Sequence, residues 1–247
     1  MLAGRRVHLI EAEPPVVSPA ERAVVDQAWD DAVTSNPALF DGPVVVCLDL
    51  HRRGSDELVL VWTRSTYRSF ALRRVPGARA PLPGLFVGVL QPTEDGRVLV
   101  GRSSSSTAVP GRWQLPGGSV EPPGQGGRLD AVALAGNAAR ELAEETGVVA
   151  DVADLRLRCV TRSSNGNLGF HYLAPPRPEA HLRERFEAQA AAEVARGLVP
   201  ELEQILLVRA ADIERLAGPY SEPLLPVATD YLTGADGQLE VVLGEQP

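Results

Sequence analysis

Glu141, Glu144 and Glu145 stand at i, i+3 and i+4 of a segment that reads as helix, so their carboxylates project from one face. Like charges at that spacing repel by about a few tenths of a kcal/mol per pair. The arrangement gains a purpose if a divalent cation neutralises it. Mg²⁺ is a hard ion that takes carboxylate oxygens, keeps several waters and completes its shell with substrate phosphates. A solvated acidic helix face is the bland alternative, and Glu141-Leu142-Ala143-Glu144-Glu145 alone does not separate the two. Arg140 before the run, Gly147 after it and Leu115-Pro116-Gly117-Gly118 upstream tip the reading towards metal-assisted phosphate chemistry.

At these residues the chain resembles the Nudix hydrolase family. That family's box reads Gly, five residues, Glu, seven residues, then Arg-Glu-apolar-x-Glu-Glu-x-Gly-apolar. Arg140 to Val148 match it at every fixed position, and Trp113-Gln114-Leu115-Pro116-Gly117-Gly118 resembles the approach to the box. One departure is plain. Gly118 and Arg140 stand 22 positions apart, eight more than in the usual box, and the extra length is rich in Pro and Gly from Glu121 to Gly127. The glutamate expected eight positions before the arginine falls on Val132. In the family that glutamate supports the arginine, and here Asp130 or Glu121 is available to replace it.

The resemblance implies an α/β fold, a Nudix α/β/α sandwich with a mixed sheet, here preceded by a small N-terminal α+β subdomain. It implies that Glu141, Glu144, Glu145 and the Gly117 carbonyl hold Mg²⁺, with Mn²⁺ as a substitute, and that Arg140 locks the loop onto the helix. An additional acid, metal ligand or general base, comes in this family from outside the box. Glu201 and Glu203 are the candidates, with Glu201 the better match. The implied reaction is hydrolysis of the pyrophosphate bond of a nucleoside diphosphate linked to another group.

Composition sets outer bounds. The 247 residues suffice for one large domain or two small ones. A net charge of −8 argues against nucleic acid or an anionic membrane as partner. A phosphate substrate then needs metal or arginine to offset the acidic field. Arg102 and Arg112, flanking the serine loop, are candidates to pair with substrate phosphate. No stretch approaches the roughly 20 apolar residues of a membrane span, and the run after Arg5-Arg6 is too short for a signal-peptide core; a cytoplasmic protein is expected. Cys47 and Cys159 sit in apolar runs and read as buried thiols. His171, in an alternating strand, reads as a core histidine ahead of a catalytic base.

The elements that must position these residues are also legible. Ser18-Pro19-Ala20-Glu21 has the pattern of a capped helix start, with the helix running to about Thr34. Val44 to Leu50 and Glu57 to Thr63 read as paired strands, and Pro76 to Pro83 as a linker. Leu85 to Leu90 and Arg97 to Gly101 read as a hairpin around Glu94-Asp95-Gly96. The box helix is expected over Leu129 to Thr146 with Gly147 as its cap. Gly136 within it, with Ala139 and Ala143, predicts a smooth face close to a sheet. Strands follow at Leu155 to Thr161 and Leu168 to Ala174, a helix over Glu179 to Arg196, a strand at Ile205 to Val208 and a short helix at Ala210 to Leu216. Asp236-Gly237 reads as a turn before a last strand, Gln238 to Leu243. The expected division is 1–80, 84–217 and 218–247.

Trp29, Asn36-Pro37-Ala38-Leu39-Phe40-Asp41 and Thr66-Tyr67-Arg68-Ser69-Phe70 narrow the resemblance. They are similar to the leader region of the Nudix subfamily that cleaves UDP-glucose and UDP-galactose, which also carries a lengthened box loop. The resemblance favours a UDP-sugar, giving UMP and a sugar 1-phosphate, with Tyr67 and Arg68 shaping a base or sugar pocket. Core packing is the competing reading of Trp29, Phe40, Tyr67 and Phe70. Cleavage of ADP-ribose, NADH, CoA or a dinucleotide is the alternative within the family, and an inactive nucleotide-binding sensor is the alternative of another class. The expected partner is a small nucleoside diphosphate derivative; the sequence does not set the oligomeric state, and the resemblance makes a homodimer one option.

Overall fold

The computed structural model describes residues 6–54, 57–124, 126–233 and 241–243. Among the described residues, ten strands and four α-helices follow one another: β1 (Arg6–Glu11), α1 (Pro19–Ser35), β2 (Pro43–Arg53), β3 (Glu57–Thr66), β4 (Leu85–Leu90), β5 (Val98–Ser103), β6 (Trp113–Gln114), α2 (Ala131–Thr146), β7 (Arg156–Arg162), β8 (Leu168–Leu173), α3 (Glu179–Ala195), β9 (Leu202–Val208), α4 (Leu224–Thr233) and β10 (Val241–Leu243). The turn expected at Asp236-Gly237 and the start of the strand expected from Gln238 lie outside the described residues. Val241–Leu243 pairs parallel with β7.

Three sheets form, ordered β1-β3-β2, β10-β7-β8-β4 and β6-β5-β9. The second is mixed: β4 runs parallel to β8, and β8 antiparallel to β7. Its other edge is taken by residues 116–120. Val87 N–H donates to the Gly118 carbonyl at 2.9 Å, Val89 N–H to Pro116 at 2.8 Å, and Val120 N–H to Leu85 at 2.9 Å. Val45 N–H then donates to the Val120 carbonyl, which stitches the first sheet to the second. The glycine turn is thus clamped as an extended edge against β4.

This corrects the expected hairpin. The turn at 94–96 forms, with Thr93 N–H donating to the Arg97 carbonyl. The strands on either side part, because β8 and residues 116–120 already occupy both edges of β4. β5 pairs instead with β9 and β6.

Alternation along the strands builds the layers. Val87, Val89, Val160 and Phe170 face α2 and α3, packing on Leu134, Ala135, Ala138, Leu142 and Leu182. Leu90 and Cys159 face the other way, with Val98, Val100 and Trp113, onto α4 through Leu224, Val227 and Ala228. The α/β/α arrangement is the expected one. Neither β1, nor β6, nor α4 was read from the sequence. Arg158 holds α4 in place, its Nε 2.5 Å from Asp230 Oδ2. Both cysteines are buried thiols outside any disulfide, and burial pushes the Cys47 thiol up to about 11.

Helix α1 starts as expected, with the reciprocal Ser18–Glu21 capping box. Trp29, Tyr67 and Phe70 pack edge-to-face, centroids 6.4 and 5.5 Å apart. Phe40 does not join them and is 78% exposed; Leu39 takes the inward position.

Helix α2 is capped by Asp130, whose side chain accepts from Ala133 N–H at 2.8 Å. It ends at Gly147, in the left-handed conformation at φ 69°. The expected role of Gly136 does not hold: Leu134, Ala135, Ala138 and Leu142 face the core, and a Cβ on Gly136 would meet nothing within 4 Å. Gly136→Ala therefore gains helix propensity without a clash. Stability is expected to rise by about 0.5–1 kcal/mol, read as a Tm increase of about 1–4 °C by calorimetry.

Candidate active site

Glu145 lies eleven residues after Leu134 and seven after Ala138, which at about 100° per residue puts all three in one line along α2. Its carboxylate is therefore carried into the core, at 7% exposure. The Glu141 side chain, one turn earlier, is 12% exposed, and that of Glu144 is 57% exposed. The three carboxylates expected on one face differ sharply in depth.

Burial raises the Glu145 carboxyl well above its usual range, against the N–H of Gly117, and Glu201, Glu141 and Glu144 push it further up. Burial likewise pushes Glu141 up to about 7, Arg140 opposing and Glu144 and Glu201 adding to it. Desolvation dominates at both carboxyls.

The glycine turn meets them closely. Gly117 N–H donates to Glu145 Oε2 at 2.9 Å. Gly117 sits at φ 153°, and a Cβ there would lie 2.1 Å from the Val87 carbonyl oxygen. A Cβ on Gly118 would lie 2.4 Å from Glu141 Oε2. Both glycines are needed because backbone and carboxylates share this space.

Arg140 lies among these carboxylates. Its Nη1 lies 2.9 Å from Glu144 Oε2 and its Nη2 3.0 Å from Glu141 Oε1. Glu121 Oε1 is 3.4 Å from Nη2. Of the two residues offered as replacement for the missing box glutamate, Asp130 is spent on capping α2 and Glu121 reaches the arginine. Val132 is 69% exposed.

Glu141, Glu144 and Glu145 line a cleft of about 510 Å³ whose far wall comes from Gln189, Glu193 and Arg196 near the end of α3, and from Glu201. Partial desolvation of an otherwise exposed residue, then Glu193 and Glu144, raise the Glu201 carboxyl. Glu203 turns elsewhere, 3.0 Å from Arg102 Nη1, so the structure brings one of the two candidate acids to the cleft. Gln189, Glu193 and Arg196 escaped the sequence reading. Gln189 donates to the Glu144 carbonyl at 2.8 Å and to Glu193 Oε1 at 3.2 Å. Their i, i+4, i+7 spacing looks like any solvated helix face, and only the packing of α3 on α2 gives it meaning.

The remaining candidates separate in the same way. Arg102 is committed to Glu203. Arg112 Nη2 donates to Gln114 Oε1 at 3.0 Å, while its Nε is buried without a hydrogen-bond partner among the described residues. Burial lowers the Arg112 pKa, with Tyr67 within electrostatic reach. Arg68, expected in a base or sugar pocket, instead pairs with Asp26 at 2.9 Å and Asp41 at 3.0 Å, tying α1 to the segment after β3. His171 is a core residue at 1% exposure, its Nε2 2.8 Å from Thr161 Oγ1; burial depresses its pKa to about 3, which removes it as a base near neutrality.

Among the described residues no three acidic, His or Cys side chains converge into a ready chelate. Glu144 is drawn onto Arg140 and Glu145 onto Gly117. The donor set nevertheless fits a hard cation. It is all carboxylate, it sits beside a glycine turn, and burial together with neighbouring carboxylates raises Glu141, Glu145 and Glu201.

A family model described as NUDIX domain matches residues 83–223. The chain is similar to the solved structure of a MutT NUDIX hydrolase from Burkholderia pseudomallei, at 22% identity over 60% of this chain and 97% of that one, TM-score 0.39. It is similar to the NUDIX domain of Shewanella oneidensis NrtR complexed with ADP ribose, at 18% identity over 68% and 98%, TM-score 0.43. A MutT protein from Methanosarcina mazei Go1 matches at 20% identity over 62% and 96%, TM-score 0.43. No curated protein matches the chain.

Proposed function

This chain belongs to the Nudix hydrolase family, and from that premise we propose that it hydrolyses the pyrophosphate bond of a nucleoside diphosphate linked to a second group, with Mg²⁺ bound in the α2 cleft. The observation that carries this reading is the set of desolvated carboxylates of Glu141 and Glu145 facing Glu201 beside the Gly117–Gly118 turn. Glu141, Glu144, Glu145 and the Gly117 carbonyl are the residues that would hold the cation. When bound, it supplies charge neutralisation at the phosphate oxygens and a more acidic water.

The rest falls to the protein. Gly117 N–H orients Glu145, and Arg140 restrains Glu141 and Glu144. Glu201, across the cleft, is the group placed to take a proton from the attacking water, since a raised carboxyl pKa suits a general base near neutrality. Arg112 is better placed than Arg102 to meet a phosphate, because it has no carboxylate partner of its own among those described.

The substrate we favour is a UDP-sugar, cleaved to UMP and a sugar 1-phosphate. The leader residues motivate it: Asn36 Nδ2 donates to the Thr107 carbonyl at 3.1 Å, tying the leader to the serine loop, and Tyr67 lies within electrostatic reach of Arg112. Purified protein with Mg²⁺ is expected to release UMP from UDP-glucose or UDP-galactose, measured by chromatography. Cleavage of ADP-ribose with no UMP from either UDP-sugar would overturn the substrate. No release from nucleotide-sugars, dinucleotides or nucleoside triphosphates, with Mg²⁺ or Mn²⁺, would overturn the hydrolase reading itself.

A further inference from the structure

Glu121 begins the inserted stretch of the box loop. Its carboxylate lies 3.4 Å from Arg140 Nη2, and its backbone N–H donates to Asn137 Oδ1 at 3.2 Å. The same Asn137 oxygen accepts from Arg140 Nη2 at 3.3 Å, and Asn137 Nδ2 donates to the Ala133 carbonyl at 3.0 Å. The guanidinium therefore has four acceptors: Glu141 and Glu144 on its own helix face, and Glu121 and Asn137 beside them. The loop is also tethered from the opposite side. Arg64 of β3 donates through Nη1 to the Pro123 carbonyl and through Nε to Glu11, both at 2.8 Å.

We infer that Glu121, braced by Asn137 and by the Arg64–Pro123 tether, is the positioning residue for Arg140, so that the N-terminal sheet takes part in setting the geometry of the cleft. This rests on the proposed reading in which Glu141 and Glu144 turn towards a divalent cation. As they do, their charge is shared with the cation, and Arg140 keeps Glu121 and Asn137 as its undivided acceptors. A guanidinium with no counter-charge would be repelled from a nearby dication. The planar fork of arginine can hold several acceptors at once, which lets it exchange partners without moving far. Val132 has no polar atom to offer. A glutamate there would lie about 12 Å along the helix and about 80° round it from Arg140. Both members of the Glu121–Arg140 pair are more than a third exposed, 56% and 37%, so the pair adds little to folding. Its effect belongs to the geometry of the site.

The test compares Glu121→Gln, Arg64→Met and Asp130→Asn with the parent in three measurements. Glu121→Gln is expected to lower kcat about tenfold with KM within twofold, and to weaken Mn²⁺ binding, read by electron paramagnetic resonance without substrate, by about three- to tenfold. Trypsin cleavage after Arg128, at the end of the same loop, is expected to accelerate at least about threefold in Glu121→Gln and in Arg64→Met, as the loop loosens. Asp130→Asn keeps a capping side chain and should match the parent in all three. The inference is overturned if Glu121→Gln matches the parent in Mn²⁺ affinity and cleavage rate, or if Asp130→Asn reproduces its losses. A parent protein that neither binds Mn²⁺ nor turns over would sink the underlying function; the cleavage rates would still decide whether Glu121 and Arg64 hold the loop.

Discussion

Glu145→Gln is expected to lower kcat about a thousandfold, or roughly 4 kcal/mol of transition-state stabilisation, with the fold intact. The amide has nearly the same shape, and its oxygen can still accept from Gly117 N–H, as Glu145 Oε2 does at 2.9 Å. What it cannot supply is the anionic oxygen that a hard cation needs. Because the native carboxylate is almost wholly desolvated, its removal takes away a buried charge instead of breaking a stabilising pair. The melting temperature of the cation-free variant should therefore not fall. Turnover at saturating substrate and Mg²⁺, with circular dichroism and nucleotide titration, checks both halves. Activity within tenfold of the parent would show that Glu145 is not in the reacting centre. A parent with nucleotide affinity but no turnover to lose would point to a sensor.

The second large effect separates two adjacent glycines. In Gly117→Ala the new methyl would lie 2.1 Å from the Val87 carbonyl oxygen and 2.8 Å from Gly88 Cα, at a φ of 153°. These neighbours are backbone of the central strand β4, which is hydrogen-bonded on both edges and cannot yield. Strain and clash together should cost at least about 3 kcal/mol, a Tm fall of about 6–12 °C for a chain of this size. In Gly118→Ala the methyl meets the far end of Glu141, 2.4 Å from Oε2. That side chain can swing away, so melting should stay within about 2 °C while kcat falls by about 10- to 100-fold as Glu141 leaves its place. Calorimetry and steady-state kinetics on both variants give the contrast. Equal melting of Gly117→Ala and the parent would mean that the turn does not lie against β4 as described.

Local rules were readable from the chain alone. The Ser18–Glu21 capping box, the Asp130 and Gly147 ends of α2 and the box Arg140 to Val148 depend on residues within a turn or two of one another. Their hydrogen bonds are decided at that range. Even the depth of Glu145 was latent in its register with Leu134 and Ala138, since one line along a helix shares one environment.

The sequence by itself thus determined α1, α2 and α3, the caps of the first two, and the acidic run along α2. Only tertiary structure decided that β4 takes residues 116–120 and β8 as neighbours and leaves β5 to β9. It likewise chose Glu121 over Asp130 beside Arg140, and Glu201 over Glu203 in the cleft. In each case two chemically equivalent groups compete for one place. The choice is made by strands and loops far apart in the chain, whose packing no local spacing encodes.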